Sequence, residues 1–375
     1  MKSRWLTRAI CVGLAFWYAI LRAGRRRPSL LPRRILVAHN LLLGDTIMLA
    51  PLLKKLRQRY PDAQIIMTCT PGLVSLFANR PYGVQAVGFD SRDVQTFFAL
   101  FRNRGFDLAL LPADNRLGWL ARALDARWIV GFAGDRPAYK NRLADEVRIF
   151  GDQPMALGDL MAARLVDGEP PAPYAISDWR APPAEPFSAP QAPYCVLHVG
   201  AGSRLRYWEP EKWRALIAHL EITGIRPVLT TGPGEETLIP QIDPQGKCLA
   251  FSGNLSLAQM WRLLAGALAV VCPDTGIAHL ARIAGSPSVV LFGPGSATLV
   301  SGGEFWRNIP GRKVTIPKFP CRDENMLFRR HLPWAEHCGR STAQCASPKC
   351  MHALTDEMVI QALDSLLKKT KLVIT

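Results

Sequence analysis

The stretch of residues 267–294 constrains the fold of this chain most strongly. Two short apolar runs in it, ALAVVC and SVVLF, have the length and composition of parallel strands that are buried on both faces. Between them, Asp274 and Thr275 are favourable residues for the start of a helix, and Gly285 is favourable for its end. The stretch therefore predicts a compact βαβ unit, the building block of a parallel sheet covered by helices.

The start of that helix is a candidate binding site. Backbone N–H groups at a helix N-terminus, placed at the carboxyl end of parallel strands, favour an anion such as a diphosphate. Gly276 lets the backbone approach a ligand closely, and His279 lies one turn further along. Asp274 and Thr275 also suit an ordinary helix cap, and His279 suits a histidine packed under the helix. Both interpretations stay open on this stretch alone.

The rest of the chain repeats the same pattern on both sides of a proline-rich segment. Short apolar runs alternate with helical periods over residues 33–168 and again over residues 194–355, which is typical of doubly wound parallel sheets. Residues 169–193 contain eight prolines, which discourage helices and central strands, and are predicted to link two domains. A chain of 375 residues is long enough for both. Residues 356–375 are predicted to form a final amphipathic helix.

A glycine-containing loop opens the second predicted domain. Gly202, Ser203 and Arg206 follow its first strand, and this combination suggests diphosphate binding, although the glycines alone also fit a tight turn. After the next strand, a carboxylate at residues 235–236 can accept hydrogen bonds from both hydroxyls of a ribose.

Asp45 lies at the turn between the first predicted strand, residues 34–39, and a helix predicted over residues 45–60. Gly44 supplies backbone freedom at this turn, and Asp45 can cap the helix that follows. Capping aspartates are common, so these residues by themselves do not separate a structural role from a catalytic one.

The leading segment, residues 1–32, is basic and contains a short apolar run. Nine of the 46 basic residues precede the first acidic residue, Asp45, and they account for much of the net charge of +16. Residues 10–21 form the apolar run, which is shorter than the roughly 20 residues that span a bilayer. We predict a helix on an anionic membrane surface; a signal-peptide core and a packed helix are the alternatives. No domain interleaves basic and aromatic residues, so nucleic-acid binding is not expected.

Three separated stretches together resemble the ADP-heptose:lipopolysaccharide heptosyltransferases, glycosyltransferase family 9. They are residues 41–65, residues 197–217 with 230–236, and residues 273–294, in the order in which the family has them. The resemblance implies an α/β protein with a GT-B fold, in which two Rossmann-like domains face a central cleft. The N-terminal domain would bind the acceptor, and the C-terminal domain the nucleotide sugar.

The resemblance also implies roles for individual residues. Asp45 would be the catalytic base. The residues implied for donor binding are Gly202, Ser203, Arg206, Glu235, Asp274, Thr275, Gly276 and His279, with Glu236 a close alternative to Glu235. The family usually has a lysine near the position of Arg206, and arginine keeps the charge with a different hydrogen-bonding geometry.

A phosphorylated acceptor needs cationic contacts, and three basic residues of the first domain are candidates: Arg136, Lys140 and Arg142. These residues also fit an ordinary solvated face. Four cysteines near the C-terminus raise a different question, because metal ligands, structural thiols and a disulfide are all compatible with them. They are Cys321, Cys338, Cys345 and Cys350, and their spacings match no standard pair of zinc knuckles.

The function implied by the resemblance is inverting transfer of heptose from ADP-heptose to the lipopolysaccharide inner core, without a metal or other cofactor. The expected place is the cytoplasmic face of the inner membrane. The alternatives are a related GT-B enzyme with another nucleotide sugar, a sugar epimerase of the same fold, and a non-catalytic membrane-bound sugar-nucleotide binding protein.

Overall fold

The computed structural model describes residues 4–24, 26–191 and 193–374, of which residues 369–374 by their backbone alone. Lys2 and Arg25 of the basic leading segment, Ala192 of the proline-rich segment and Thr375 lie outside the described residues. The chain divides into two compact units. Unit 1 comprises residues up to 172, 178–180 and 325–334, and unit 2 comprises residues 173–177, 181–324 and 335 onward.

Unit 1 is built on a six-stranded parallel sheet. Its strands are β1 (Arg34–Val37), β2 (Gln64–Cys69), β3 (Val84–Gly88), β4 (Leu108–Leu110), β5 (Trp128–Phe132) and β6 (Glu146–Arg148). Their order is β3-β2-β1-β4-β5-β6, so the direction of chain progression reverses between β1 and β4. That reversal is the switch point at which doubly wound sheets bind ligands. The sequence did not predict β6, a short edge strand in which polar residues flank Val147.

The helices of unit 1 are α1 (Arg4–Leu21), α2 (Leu43–Ile47), α3 (Ala50–Arg59), α4 (Val94–Phe101), α5 (Gly118–Ala123) and α6 (Leu157–Leu165). Short 3-10 helices lie at Pro71–Phe77, Pro81–Gly83, Asn115–Leu117 and Ala138–Leu143. The prediction of one helix over residues 45–60 was wrong, because the chain turns at Met48 and Leu49 between α2 and α3. Pro51 explains the break: it has no N–H to bond back to Ile47, and it suits a first helical turn.

Helix α1 packs on unit 1 by one face and exposes an apolar face. Cys11 and Ala15 are buried, and the Arg22 guanidinium forms two hydrogen bonds of 2.9 and 2.7 Å with the Asp125 carboxylate. Trp5 and Trp17 on the other face are 83% and 60% exposed. Within the described residues, this helix alone is long and apolar enough to cross a membrane, a criterion that core helices and signal sequences also meet.

Unit 2 repeats the topology of unit 1. Its strands are β7 (Tyr194–His198), β8 (Arg226–Thr231), β9 (Leu249–Ser252), β10 (Ala269–Pro273), β11 (Ser288–Phe292) and β12 (Gly311–Thr315). The sheet order β12-β11-β10-β7-β8-β9 again places a reversal between the first and fourth strands, β7 and β10. All neighbouring strands are parallel.

The helices of unit 2 are α7 (Pro210–Ile222), α8 (Leu238–Ile242), α9 (Leu257–Ala265), α10 (Gly276–Ile283), α11 (Ala297–Val300), α12 (Lys349–His352) and α13 (Asp356–Ile374). Short 3-10 helices lie at Arg204–Arg206 and Glu304–Trp306, and a third, Ile176–Asp178, lies in the proline-rich segment. The βαβ prediction for residues 267–294 is confirmed as β10, α10 and β11. Val359, Leu363 and Leu366 of α13 are fully buried in the same core cluster as Trp213 of α7.

A small hairpin, β13 (Met326–Leu327) and β14 (Arg330–His331), belongs to unit 1 although it follows the sheet of unit 2 in sequence. Arg330 is 2% exposed. Its guanidinium donates to the carbonyls of Ala113, Ala133 and Phe132 at 2.7, 2.9 and 3.2 Å and lies 3.4 Å from the Asp135 carboxylate. This buried cation fastens the hairpin to the carboxyl ends of β4 and β5.

Candidate active site

At the switch point of unit 2, loops from neighbouring strands meet. The loop after β7 carries Arg206, and the loop after β10 carries Asp274. The Arg206 Nη1 donates a 2.7 Å hydrogen bond to the backbone carbonyl of Asp274 and lies 3.7 Å from its carboxylate Oδ2. Two residues predicted from separate stretches are therefore in contact at the place where α/β folds bind ligands.

Gly202 and Ser203 belong to the loop that presents Arg206. Gly202 is exposed, and the Ser203 hydroxyl accepts a 3.3 Å hydrogen bond from the N–H of Leu205 at the start of the short 3-10 turn. Ser203 thus shapes the loop, and the guanidinium that follows it is 38% exposed, which leaves it open to a ligand.

Helix α10 begins with N–H groups that the Thr275 side chain does not cap. Thr275 has an extended backbone, with φ −147° and ψ 167°, and its side chain forms no capping hydrogen bond. Gly276 is the first helical residue. The uncapped N–H groups and the positive end of the helix dipole together favour an anion.

Asp274 is 9% exposed, directly before this helix start. Burial raises the pKa of its carboxyl, and the nearby positive charges of Arg206 and Arg282 act in the opposite direction. A Cβ on Gly295 would overlap this carboxylate, so the close approach of the two loops requires a glycine there. Asp274 therefore orients Arg206 and is itself held by its surroundings.

His279 lies one turn into α10 and is 4% exposed. Burial, with a smaller contribution from the Arg282 charge, lowers the pKa of His279 to about 3. Its Nδ1 lies 3.4 Å from the Arg282 Nη1, which can only donate, so Nδ1 accepts. His279 is consequently a neutral imidazole at neutral pH rather than a cation that faces a diphosphate.

Glu235 joins two loops of unit 2. Its carboxylate accepts from the N–H of Ala201 at 2.9 Å, from the N–H of Gly232 at 3.0 Å and from the Tyr207 hydroxyl at 3.1 Å. A Cβ on Gly200 would overlap it. These contacts give Glu235 a supporting role in the loops, and its predicted contact with a ribose stays a prediction.

A cavity of about 270 Å³ opens beside these loops, lined by Arg204, Tyr207, Gly234 and Glu235 among others. Tyr207 offers an aromatic ring and an arginine lies next to it, which suits a nucleoside. Sequence reasoning passed over Tyr207. The aromatic residue directly after Arg206 was the available signal for it.

In unit 1, Asp45 occupies the third position of α2, directly after the switch-point strand β1. Its Oδ2 accepts a 3.3 Å hydrogen bond from the N–H of Leu42, so the predicted capping role is present. The carboxylate is only partly buried. The cap and the catalytic role are compatible, because an ionised carboxylate has about four lone-pair sites that can accept hydrogen bonds or a proton.

Two residues shortly before Asp45 have buried side-chain atoms without a hydrogen-bond partner in the described part of the chain. They are both ring nitrogens of His39 and the Oδ1 of Asn40. Burial lowers the pKa of His39 to about 3, so its ring is neutral. Buried polar atoms normally have partners, and such a pair at a switch point marks the place where a polar ligand fits.

The three basic residues predicted to bind the acceptor differ in exposure. Arg136 and Arg142 are exposed. Lys140 is 2% exposed, and its Nζ lies 3.3 Å from the Asp135 carboxylate and donates to the Arg136 carbonyl at 2.9 Å. Because the Lys140 ammonium already has these internal partners, a direct acceptor contact rests on Arg136 and Arg142.

No disulfide joins the nine cysteines, all of which lie in the described part of the chain. Among the described residues, no three histidine, cysteine or acidic side chains are arranged to hold a metal ion. Burial raises the pKa of the Cys350 thiol to about 11, which favours its protonated form. Cys321, Cys338 and Cys345 are partly buried.

Known proteins resemble this chain in sequence. The profile of glycosyltransferase family 9 (heptosyltransferase) matches residues 94–303. Lipopolysaccharide heptosyltransferase 1 of Pseudomonas aeruginosa is 24% identical over 359 residues, which cover 89% of this chain and 98% of that relative.

Solved structures resemble its fold. ADP-heptose lipopolysaccharide heptosyltransferase II of Escherichia coli has a TM-score of 0.68 at 18% identity, over 90% of this chain and 99% of that one. Heptosyltransferase WaaC of E. coli with ADP-2-deoxy-2-fluoro heptose has a TM-score of 0.59 at 20% identity, over 76% and 93%. The predicted α/β fold class of GT-B type is confirmed.

Proposed function

The chain belongs to glycosyltransferase family 9, the heptosyltransferases, and on that premise we propose that it transfers heptose from ADP-heptose to the lipopolysaccharide inner core. It is a glycosyltransferase of lipopolysaccharide core biosynthesis. We also propose the identity of the donor, the inversion of the anomeric configuration and the roles of individual residues. The solved relative with a fluorinated ADP-heptose supports the choice of donor.

The contact between Arg206 and Asp274 at the start of α10 carries the donor assignment. It places a fixed guanidinium beside uncapped N–H groups, which together stabilise a diphosphate and the negative charge that grows on it as it leaves. Unit 2 is accordingly the donor-binding domain. The cavity beside Tyr207 would take the adenosine.

Unit 1 would bind the acceptor and supply the base. An acceptor hydroxyl oxygen attacks the anomeric carbon as the bond from that carbon to the diphosphate breaks. The Asp45 carboxylate takes the hydroxyl proton, and ADP leaves with the bonding electrons. Attack from the side opposite the leaving group inverts the anomeric configuration. Arg136 and Arg142 would contact phosphate groups of the acceptor.

The exposed face of α1 supports a position on the inner membrane surface, on its cytoplasmic side. Trp5 and Trp17 suit the interface between lipid tails and headgroups, and Arg4 and Arg8 suit anionic headgroups. Replacing both tryptophans by serine should abolish flotation with vesicles that contain anionic lipid. Undiminished flotation of this variant would remove α1 as the anchor.

The proposed activity is tested by mixing the full chain with ADP-heptose and a lipopolysaccharide acceptor whose inner core lacks heptose. ADP release that depends on the acceptor, and the added heptose mass, are the expected results. ADP-glucose and UDP-N-acetylglucosamine serve as controls for donor choice. Faster transfer from either control would show that ADP-heptose is not the preferred donor. Nucleotide binding without transfer would favour the non-catalytic alternative.

A further inference from the structure

A second cavity of unit 2, of about 350 Å³, lies at the amino-terminal ends of β11 and the edge strand β12, whereas the donor loops follow the carboxyl ends of the central strands. Its walls include Ser288 at the first position of β11, the start of β12 at residues 311–313, and Arg282 in the last turn of α10. Because α10 begins at the donor loops and ends at this cavity, the two sites lie at opposite ends of one helix.

Arg282 is a buried cation that forms no direct salt bridge, and the Asp274 carboxylate acts on its charge from a longer distance. It is 7% exposed, and its guanidinium carbon lies 5.6 Å from the centre of the Trp306 ring. Nη1 donates to His279 Nδ1 and to the Val300 carbonyl, each at 3.4 Å. No carboxylate of the described residues lies within 4.0 Å of this guanidinium. A buried charge with no counter-charge in direct contact is costly, so the arrangement favours an anion from outside the chain.

A purely structural explanation accounts for only part of this charge. An arginine in the last turn of a helix stabilises the helix dipole, but that dipole corresponds to roughly half an elementary charge. One of the terminal carbonyls of α10, that of Ile283, already accepts a 2.6 Å hydrogen bond from the Tyr174 hydroxyl. The helix dipole therefore offsets only part of the Arg282 charge, and Asp274 acts on it only from beyond salt-bridge distance.

Three further cations surround the cavity: Arg307, Arg312 and Lys313. Arg307 lies 3.2 Å from the Glu304 carboxylate, in an exposed pair that solvent screens. Arg312 donates to the Ser365 hydroxyl at 3.3 Å. None of the described residues that line the cavity is acidic. A concave surface with charges of one sign concentrates the field and attracts anions.

Gly302 and Gly303 form part of the wall with φ of 143° and 114°. This backbone conformation is open to glycine and disfavoured for other residues. Without side chains, these residues leave backbone groups open to whatever enters the cavity. A guanidinium group presents several N–H donors. A phosphate group, which has more acceptor oxygens than a carboxylate, therefore suits this cavity better as a ligand.

We propose that this cavity binds an anion that carries a phosphate group, at a site separate from the donor site. The proposal does not depend on which sugar the enzyme transfers. Arg282 binds the anion from inside the cavity, and Arg307 and Lys313 bind it from the rim. Arg312 pairs in register with Val289 and faces Ser365 of α13 on the other side of β12.

The test is hydrogen–deuterium exchange of the full chain with pyrophosphate as the probe. Peptides that cover residues 301–313 report on this cavity, and peptides that cover residues 274–280 report separately on the donor loops. The wild type should show slower exchange in residues 301–313 as pyrophosphate is added. A double variant, Arg307→Gln with Lys313→Gln, should need roughly tenfold more pyrophosphate for the same effect.

Lys247→Gln is the matched control, because Lys247 is an exposed lysine just before β9, at the other edge of the sheet. It should respond like the wild type. Unchanged exchange in residues 301–313 of the wild type, or an equal response of the double variant, would overturn the proposal. Arg282→Met should abolish the response, and the double variant keeps the test valid if Arg282→Met fails to fold.

The source of the phosphate is distinguished by a second arm, with vesicles of phosphatidylcholine that do or do not contain phosphatidic acid. If pyrophosphate slows exchange at a lower phosphate concentration than the vesicles do, the ligand is soluble. The reverse order assigns a lipid-borne phosphate. Either response supports the site, and the lack of both contradicts it.

Discussion

The two units have the same strand order but hold the loops at their switch points differently. In unit 2, side chains bind neighbouring loops to one another: Arg206 bonds to the Asp274 carbonyl, and Glu235 bonds to two backbone N–H groups. In unit 1, the equivalent loop contains His39 and Asn40, whose polar atoms lack partners among the described residues. The difference lies in the loops rather than in the sheets.

This difference fits what each ligand requires. A diphosphate gains most from donors that are already fixed, because no reorganisation is then needed when its charge develops. An acceptor hydroxyl needs a base and polar groups that remain open until it arrives. The donor loops of unit 2 are therefore rigid, whereas the loop after β1 in unit 1 keeps unpaired polar atoms. The loops after β4 and β5 of unit 1 are fastened by Arg330.

The largest effect is expected for Asp45→Asn in unit 1. If Asp45 is the base, turnover should fall by a factor of roughly 100 to 10,000, because an amide cannot take the proton. The melting temperature should hardly change, because the amide oxygen of asparagine can still accept the hydrogen bond from the N–H of Leu42. Steady-state rates and thermal unfolding measure the two effects.

The matched control for this prediction is Asp93→Asn. Asp93 caps α4 of the same unit, where its carboxylate accepts from the N–H of Gln95 at 3.0 Å. It should keep full turnover. An Asp45→Asn enzyme with most of its turnover would make Asp45 a cap alone.

The next effect in size concerns the stability of unit 1. Arg330→Ala removes a guanidinium that serves three carbonyls and a carboxylate, and should lower the free energy of unfolding by about 3 kcal/mol. Arg329→Ala, at the exposed neighbouring position, should change it by less than about 0.5 kcal/mol. Urea unfolding measures both, and equal effects would show that the hairpin is not held by Arg330.

A smaller effect is expected for Arg206→Ala in unit 2. The loss of a charge-assisted contact should weaken ADP binding roughly ten- to a hundredfold, as measured by calorimetry. Arg214→Ala, which removes an exposed guanidinium 2.8 Å from Glu211, should bind ADP like the wild type. Wild-type affinity in Arg206→Ala would exclude this residue from the donor site.

The smallest effect separates the two roles of Glu235. If Glu235 only supports the loops, Glu235→Gln should lower the free energy of unfolding by about 1–2 kcal/mol. ADP binding should then weaken by no more than this loss of stability. A ribose contact would instead reduce ADP affinity and leave the melting temperature unchanged. Glu221→Gln, at an exposed residue of α7, is the control for both measurements.

Local signals made the centre of unit 2 predictable from the sequence. Short-range residue preferences determine β10, α10 and β11, because these three elements follow one another directly in the chain. Pro51 was also visible in the sequence, but its effect on the helix of residues 45–60 was overlooked. The edge strand β6 is too short and too polar to stand out.

Contacts between distant residues account for what the sequence did not predict. The burial of Lys140 depends on Asp135, which Arg330 reaches from 195 residues away. The hydrogen bond from Ala201 to Glu235 likewise depends on two loops meeting. No periodicity or spacing encodes such pairs, because they form only when the sheet order is complete.

The hairpin of residues 325–334 has a consequence for how the protein is made. A ribosome delivers the chain from its N-terminus, and domains begin to fold in that order. Arg330 is synthesised only after all twelve strands of the two large sheets. Asp135 therefore lacks one of its ion-pair partners during most of synthesis. The unit that starts first is therefore completed only after the whole sheet of unit 2 has been made, and a nascent chain halted before residue 330 carries an incomplete N-terminal half.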